Sequence, residues 1–206
     1  MKLKGTFADH FASVESEQVF VPFIGGEAER IERCAVAAKR SLGIDAGVAL
    51  DPWAAATNVE VDVRGEEFFA ELPQDEQRQV LEIGGHSWSA GTIIGAGEAI
   101  VFLNPTHDPH RQKATLAEEL AHIVMGHPPS RIDPTTGFRT YDGDVESQAY
   151  GVGGAMILPY GQLFRLVKQR VAARTIAERY EVSERFANYR INRAGLRKMY
   201  VKSVGA

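Results

Sequence analysis

The stretch Arg111–His127, RQKATLAEELAHIVMGH, decides how this chain folds. Leu116, Leu120, Ile123 and Val124 recur at three- and four-residue spacing, the period of an amphipathic helix with a buried stripe. Glu118 and His122 stand at i and i+4, so both project from one helical face, with Glu119 one step round. Gly126 is the expected stop. The run Glu118-Glu119-Leu120-Ala121-His122 is the pattern H-E-x-x-H with one change. In that pattern the two histidines hold zinc and the intervening glutamate is the general base. Here a glutamate stands in the first position. These five residues also fit an ordinary surface helix bearing two acids and a histidine, and a second stretch is needed to separate the readings.

That stretch is Asp144–Pro159, DVESQAYGVGGAMILP. It is a second helical pattern, small at Ala149, Gly153 and Gly154 and apolar towards Leu158. With both stretches in view, the chain resembles the ImmA/IrrE family of metallo-endopeptidases, which are zincin-like. The resemblance is carried by Asn104, Pro105, Arg111, Thr115, Leu116, Ala117, Glu119, Leu120, His122, Gly126 and His127. It continues through Glu146, Ala149, Gly153, Leu158 and Pro159. Two motifs in the right order and separation are far more specific than either alone. The resemblance implies Glu119 as general base and Glu118, His122 and Glu146 as metal ligands, with Glu118 replacing the family's first histidine. It further implies a protein substrate, typically a helix-turn-helix repressor.

Such a site would leave a fourth position open for water, as catalytic zinc requires, and carboxylate oxygen is an accepted zinc ligand. Two carboxylates and one imidazole cancel the charge of a divalent ion, which makes it a poorer Lewis acid than a two-histidine site does. Harder oxygen donors also shift preference from zinc towards Mn or Mg. Without an ion, Glu118, Glu119 and Glu146 would crowd one cleft and raise one another's pKa, with His122 or Arg111 available to neutralise them. His127 lies off the shared face and is expected to end the helix near its negative pole. His107 and His110 lie too near the helix start to share an ion with His122. His86 and His10 carry no signal. A catalytically inactive relative that binds a partner protein as an antirepressor is the competing reading.

With 206 residues and 44% apolar content, the chain can build a real core. No run approaches the ~18 apolar residues of a membrane span, and the N-terminus lacks the apolar region of a signal peptide. The single cysteine, Cys34, has no internal disulfide partner, so a cytoplasmic setting is expected. Net charge is −4, unevenly spread. Residues 160–206 hold 11 Lys and Arg against 3 Glu, or +8, leaving −12 for residues 1–159. Packing of the two halves on each other accounts for this; a basic face for nucleic acid is the alternative.

In chain order, residues 1–25 read as an irregular arm whose Phe20, Val21, Phe23 and Ile24 dock on the body. Glu27 to Leu42 reads as a helix, and Asp51-Pro52 opens a short one through Ala56. Asn58 to Arg64 alternates as a strand, and Pro73 to Ile83 is a short helix. Thr92–Ile94 and Ala99–Leu103 form a hairpin on which Trp88 packs. The segment from Pro128 to Asp144 is a long loop, with Arg139 and Tyr141 able to reach the cleft. A helix follows from Gly161 to Arg170. Two more flank Glu181-Val182-Ser183, with Ser183 as a cap. This pair resembles a helix-turn-helix that would offer Arg185, Asn188 and Tyr189 to DNA, though such pairs also serve as plain packing units, the reading preferred here. The fold class is α+β: a zincin-like helical body, a small antiparallel sheet beside the active-site helix, and the C-terminal helix pair. The organisation is a metallopeptidase domain over 1–159 with a basic helical segment over 160–206 packed on it.

Overall fold

The structure, a computed structural model, describes residues 6–16, 25–85, 87–95, 97–128 and 142–204. Phe20, Val21, Phe23, Ile24, His86, Arg139 and Tyr141 lie outside the described residues.

The chain opens on a helix, α1 (Phe7–Ser16), where an irregular arm was expected. Its start is a reciprocal cap: Asp9 Oδ2 accepts from Thr6 N and Oγ1, and Asp9 N donates back to Thr6 Oγ1. The Thr-x-x-Asp spacing carries this signal in only four residues. Val14 anchors the helix in the core at 0% exposure.

The long helix α2 (Gly26–Ser41) buries Ile31, Cys34, Ala35 and Ala38 on the expected face. Next, α3 (Pro52–Asn58) starts at Asp51, whose side chain accepts from Trp53 N and Ala54 N. The strand β1 (Val61–Arg64) follows, then α4 (Glu66–Ala70) and α5 (Gln74–Gln77), which runs into a π-helical turn at Arg78–Ile83. A hairpin comes next, β2 (Ala90–Gly95) and β3 (Glu98–Leu103). The Trp88 ring packs on Phe69 of α4, with centroids 5.6 Å apart, and its Nε1 donates to Val80 O at 3.2 Å.

The sheet order is β1-β3-β2. The hairpin is antiparallel, with Thr92 opposite Val101. However, β1 joins β3 in parallel, Val61 opposite Ala99, so the sheet is mixed rather than antiparallel. The two helices between β1 and β2 provide the crossover that a parallel pair needs. Asn104, 0% exposed, ties the end of β3 to the segment before β2. Its Nδ2 donates to Gly85 O and Trp88 O at 2.8 and 2.9 Å, and its Oδ1 accepts from Thr106 N and Oγ1.

Behind the sheet lies α6 (Pro109–Met125), which starts where Asp108 accepts from Arg111 N and Pro109 presets the first turn. It buries Leu116, Leu120, Ile123 and Val124 as its period requires. Gly126 ends it at φ 68, the left-handed conformation that glycine adopts at no steric cost. The partner helix α7 (Gly143–Ile157) runs antiparallel to it. A Cβ on Gly153 would stand 2.9 Å from Ala117 O and Glu118 N, so this glycine permits the close approach.

Four helices complete the chain: α8 (Tyr160–Lys168), α9 (Ala173–Tyr180), α10 (Glu184–Arg193) and α11 (Arg197–Val204). Ser183 caps α10 by accepting from Phe186 N. Arg190, 0% exposed, reaches Glu32 of α2 at 2.7 Å and Leu158 O at 3.0 Å. Arg193 pairs with Glu27 at 2.7 Å. The basic C-terminal segment thus meets acids of the N-terminal part, as the charge asymmetry suggests.

Candidate metal centre

The antiparallel seam of α6 and α7 brings three side chains together. Glu118, His122 and Glu146 each offer one ligand atom, and all three atoms lie within 4.8 Å of one another. His122 Nε2 is 3.7 Å from Glu146 Oε2. Donors around a tetrahedral zinc-like ion stand at ~2.0–2.2 Å from it and so ~3.4 Å from each other. Small side-chain rotations suffice to reach that spacing. The seam is held close by Gly153, and α7 starts where Asp142 accepts from Asp144 N and Val145 N. That cap sets the register of Glu146 one turn later.

Electrostatics point the same way. Glu118 is pushed up to about 8, by burial first and then by the charges of Glu119 and Glu146. Glu118, Glu119 and Glu146 crowd one half-buried cleft, and a divalent ion there would offset their mutual repulsion. The donor set therefore fits a divalent cation. Arg111, offered by the sequence as a neutralising charge, donates through its guanidinium to Ser89 Oγ at 3.0 Å.

Glu119 faces the sheet. Its Oε2 accepts from Thr92 Oγ1 of β2 at 2.5 Å, a short charge-assisted bond that fixes the carboxylate beside the ligand cluster. Thr92 carries no motif, and only the tertiary pairing of β2 with β3 across from α6 reveals it.

His127 does more than end the helix. Its backbone N donates to His122 O at 3.0 Å, and its ring Nδ1 lies 3.0 Å from His122 Nδ1. Burial and the neighbouring His122 hold the His127 ring below the usual imidazole range, while its hydrogen bond with Gln148 opposes them. His107 and His110 lie at the start of α6 and take no part in the ligand cluster.

Tyr150 of α7 and Tyr189 of α10 stand near Glu118, with ring centroids 4.9 Å apart. Burial raises both phenols. Of the side chains a DNA-reading α10 would offer, Tyr189 is packed in this aromatic contact and Asn188 donates to Glu184 O. The sequence singled out Tyr189 only as a candidate DNA contact and gave no sign that either tyrosine lies near Glu118, because their proximity depends on how α10 crosses α7.

No helix among the described residues is long and apolar enough to cross a membrane. No curated protein and no solved structure matches the chain significantly. Compared with known families, residues 83–192 match the IrrE N-terminal-like domain of peptidase family M78. The match takes in the hairpin, both site helices and the C-terminal helices through most of α10, more than half of the sequence. With that extent of match, and a Glu-His-Glu cluster on the seam of its two central helices, the chain belongs to the M78 peptidase family of IrrE N-terminal-like domains.

Proposed function

We propose that the protein is a metal-dependent endopeptidase acting on a protein substrate. The observation that carries this reading is the clustering of Glu118, His122 and Glu146 within 4.8 Å, beside a Glu119 held by Thr92. A divalent ion bound there would polarise the scissile carbonyl and stabilise the negative charge that develops on its oxygen. Zinc is the first choice and Mn the alternative, since two of the three donors are carboxylates.

The chain's own residues do the rest. Glu119, acting through its carboxylate, takes a proton from the attacking water as the water oxygen bonds to the carbonyl carbon. The same carboxyl then returns the proton to the amide nitrogen as the C–N bond breaks. Thr92 keeps the carboxylate aimed through both steps. The substrate segment is read as extended, lying along β2, an edge strand of the sheet with Ile93 and Ile94 exposed at 60% and 51%. Backbone groups at such an edge accept an added strand. A helix-turn-helix repressor is the substrate class that the family resemblance suggests.

A second reading is supported by Glu118 itself. A carboxylate with its pKa at about 8 gives up its proton reluctantly near neutral pH and, once ionised, leaves the bound ion with no net charge. A protein so made would bind a partner and cleave it slowly or not at all.

Two measurements separate these. Metal content of protein purified without chelators or an affinity metal is expected to approach one divalent ion per chain. Glu119→Gln is expected to lower cleavage at least ~100-fold, the usual contribution of a general base, while metal content is unchanged. Undiminished cleavage by Glu119→Gln would rule out the base; retained binding of a protein partner with no cleavage by the native protein would favour the second reading.

A further inference from the structure

We infer that His127 is a positioning residue that dictates which ring nitrogen His122 presents to the ion. This rests on the metal-centre reading above and extends it to residues outside the ligand set.

Two contacts orient the His122 ring. Its Nε2 faces Glu146 Oε2 at 3.7 Å, within the ligand cluster. Its Nδ1 faces away, 3.0 Å from His127 Nδ1. For Nε2 to offer its lone pair, the ring must carry its proton on Nδ1. That N–H then donates to His127 Nδ1, which accepts through its own lone pair. His127 is thereby neutral, with its proton on Nε2.

The local backbone makes this possible. The left-handed turn at Gly126 folds the chain back so that His127 N reaches His122 O. That turn places the ring of residue i+5 edge-on to the ring of residue i, with centroids 4.9 Å apart and planes at 76°. In a straight helix the two rings would diverge.

Histidine also suits the charge of the site. Metal-bound histidines commonly donate their second N–H to a carboxylate. A carboxylate here would be a fourth acid beside Glu118, Glu119 and Glu146. A neutral imidazole accepts the same hydrogen bond without adding negative charge, which matters where the ligands already cancel the ion's charge.

The test is zinc titration by calorimetry of the full chain and two variants, with thermal melts of the metal-free proteins as a folding control. His127→Phe keeps a ring but loses the acceptor; His127→Asn keeps an acceptor close to the position of Nδ1. His127→Phe is expected to weaken zinc binding about 10- to 100-fold, the range for a lost outer partner. His127→Asn is expected to recover most of the affinity. Nitrogen-15 NMR of the zinc-loaded native protein is expected to show His122 bound through Nε2 with a slowly exchanging Nδ1 proton. This spectrum decides the matter even if His127→Phe does not fold. Zinc bound through Nδ1, native affinity in His127→Phe, or equal losses in both variants would each overturn the positioning role while leaving the metal centre intact. A native protein that takes up no zinc would overturn the centre and this role together.

Discussion

Glu118 is the residue on which the chemistry turns. Its carboxyl is pushed up to about 8 by burial and by Glu119 and Glu146. An ion entering the site must displace that proton, so zinc affinity of the native protein is expected to rise with pH, about tenfold per unit, until pH passes about 8. Glu118→His replaces the acid with an imidazole whose ordinary pKa is ~6.5. The variant's affinity should exceed that of the native protein near neutral pH, and its pH dependence should flatten about one and a half units lower. Calorimetric titration of both proteins from pH 6 to 9 checks this; parallel curves would mean that Glu118 does not touch the ion. The helix should tolerate the exchange, since the two residues differ in helix propensity by only ~0.5 kcal/mol.

At the scale of elements, the site depends on how closely α7 lies against α6. Gly153 has no room for a side chain, because a Cβ would meet Ala117 C, Ala117 O and Glu118 N, all at 2.9 Å. These are backbone atoms, so a whole helix must move. Gly153→Ala is expected to cost about 1–3 kcal/mol, the usual penalty for overpacking a core, and to weaken zinc binding by displacing Glu146 from His122. Urea unfolding and zinc titration of the variant measure the two effects. A variant as stable as the native protein, with unchanged affinity, would show that the seam can widen without consequence. The helical periods, the caps at Asp51 and Ser183, and the hairpin turn are local signals, and all were legible along the chain. Helix α1 was missed because its reciprocal cap occupies only Thr6 to Asp9. The parallel placement of β1 was missed because strand direction in a sheet is set by the crossover, not by the strand's own residues.

Across the whole molecule, the C-terminal helices are fastened to α2 through a buried ion pair. Arg190 and Glu32 are 0% and 3% exposed and 2.7 Å apart. Removing one partner strands the other charge in the core. Arg190→Met is therefore expected to destabilise the protein by about 3–5 kcal/mol, and the double variant Glu32→Leu/Arg190→Met by markedly less. Chemical denaturation of the three proteins tests this; equal losses in single and double variants would place the cost in packing rather than in the pair. The sequence by itself determined the two site helices, their order, and the placing of Glu118, Glu119 and His122 close together on one of them, because helical period is written within a few consecutive residues; Glu146 entered as a candidate only through the family resemblance. What only the tertiary structure decided is the company these residues keep: Thr92 on Glu119, His127 behind His122, Tyr150 and Tyr189 near Glu118, and Arg190 locked to Glu32. Each of these contacts depends on how separate elements cross or on a left-handed turn that swings a neighbour back. Such geometry is fixed by packing of the whole chain and leaves no periodic trace in any one segment.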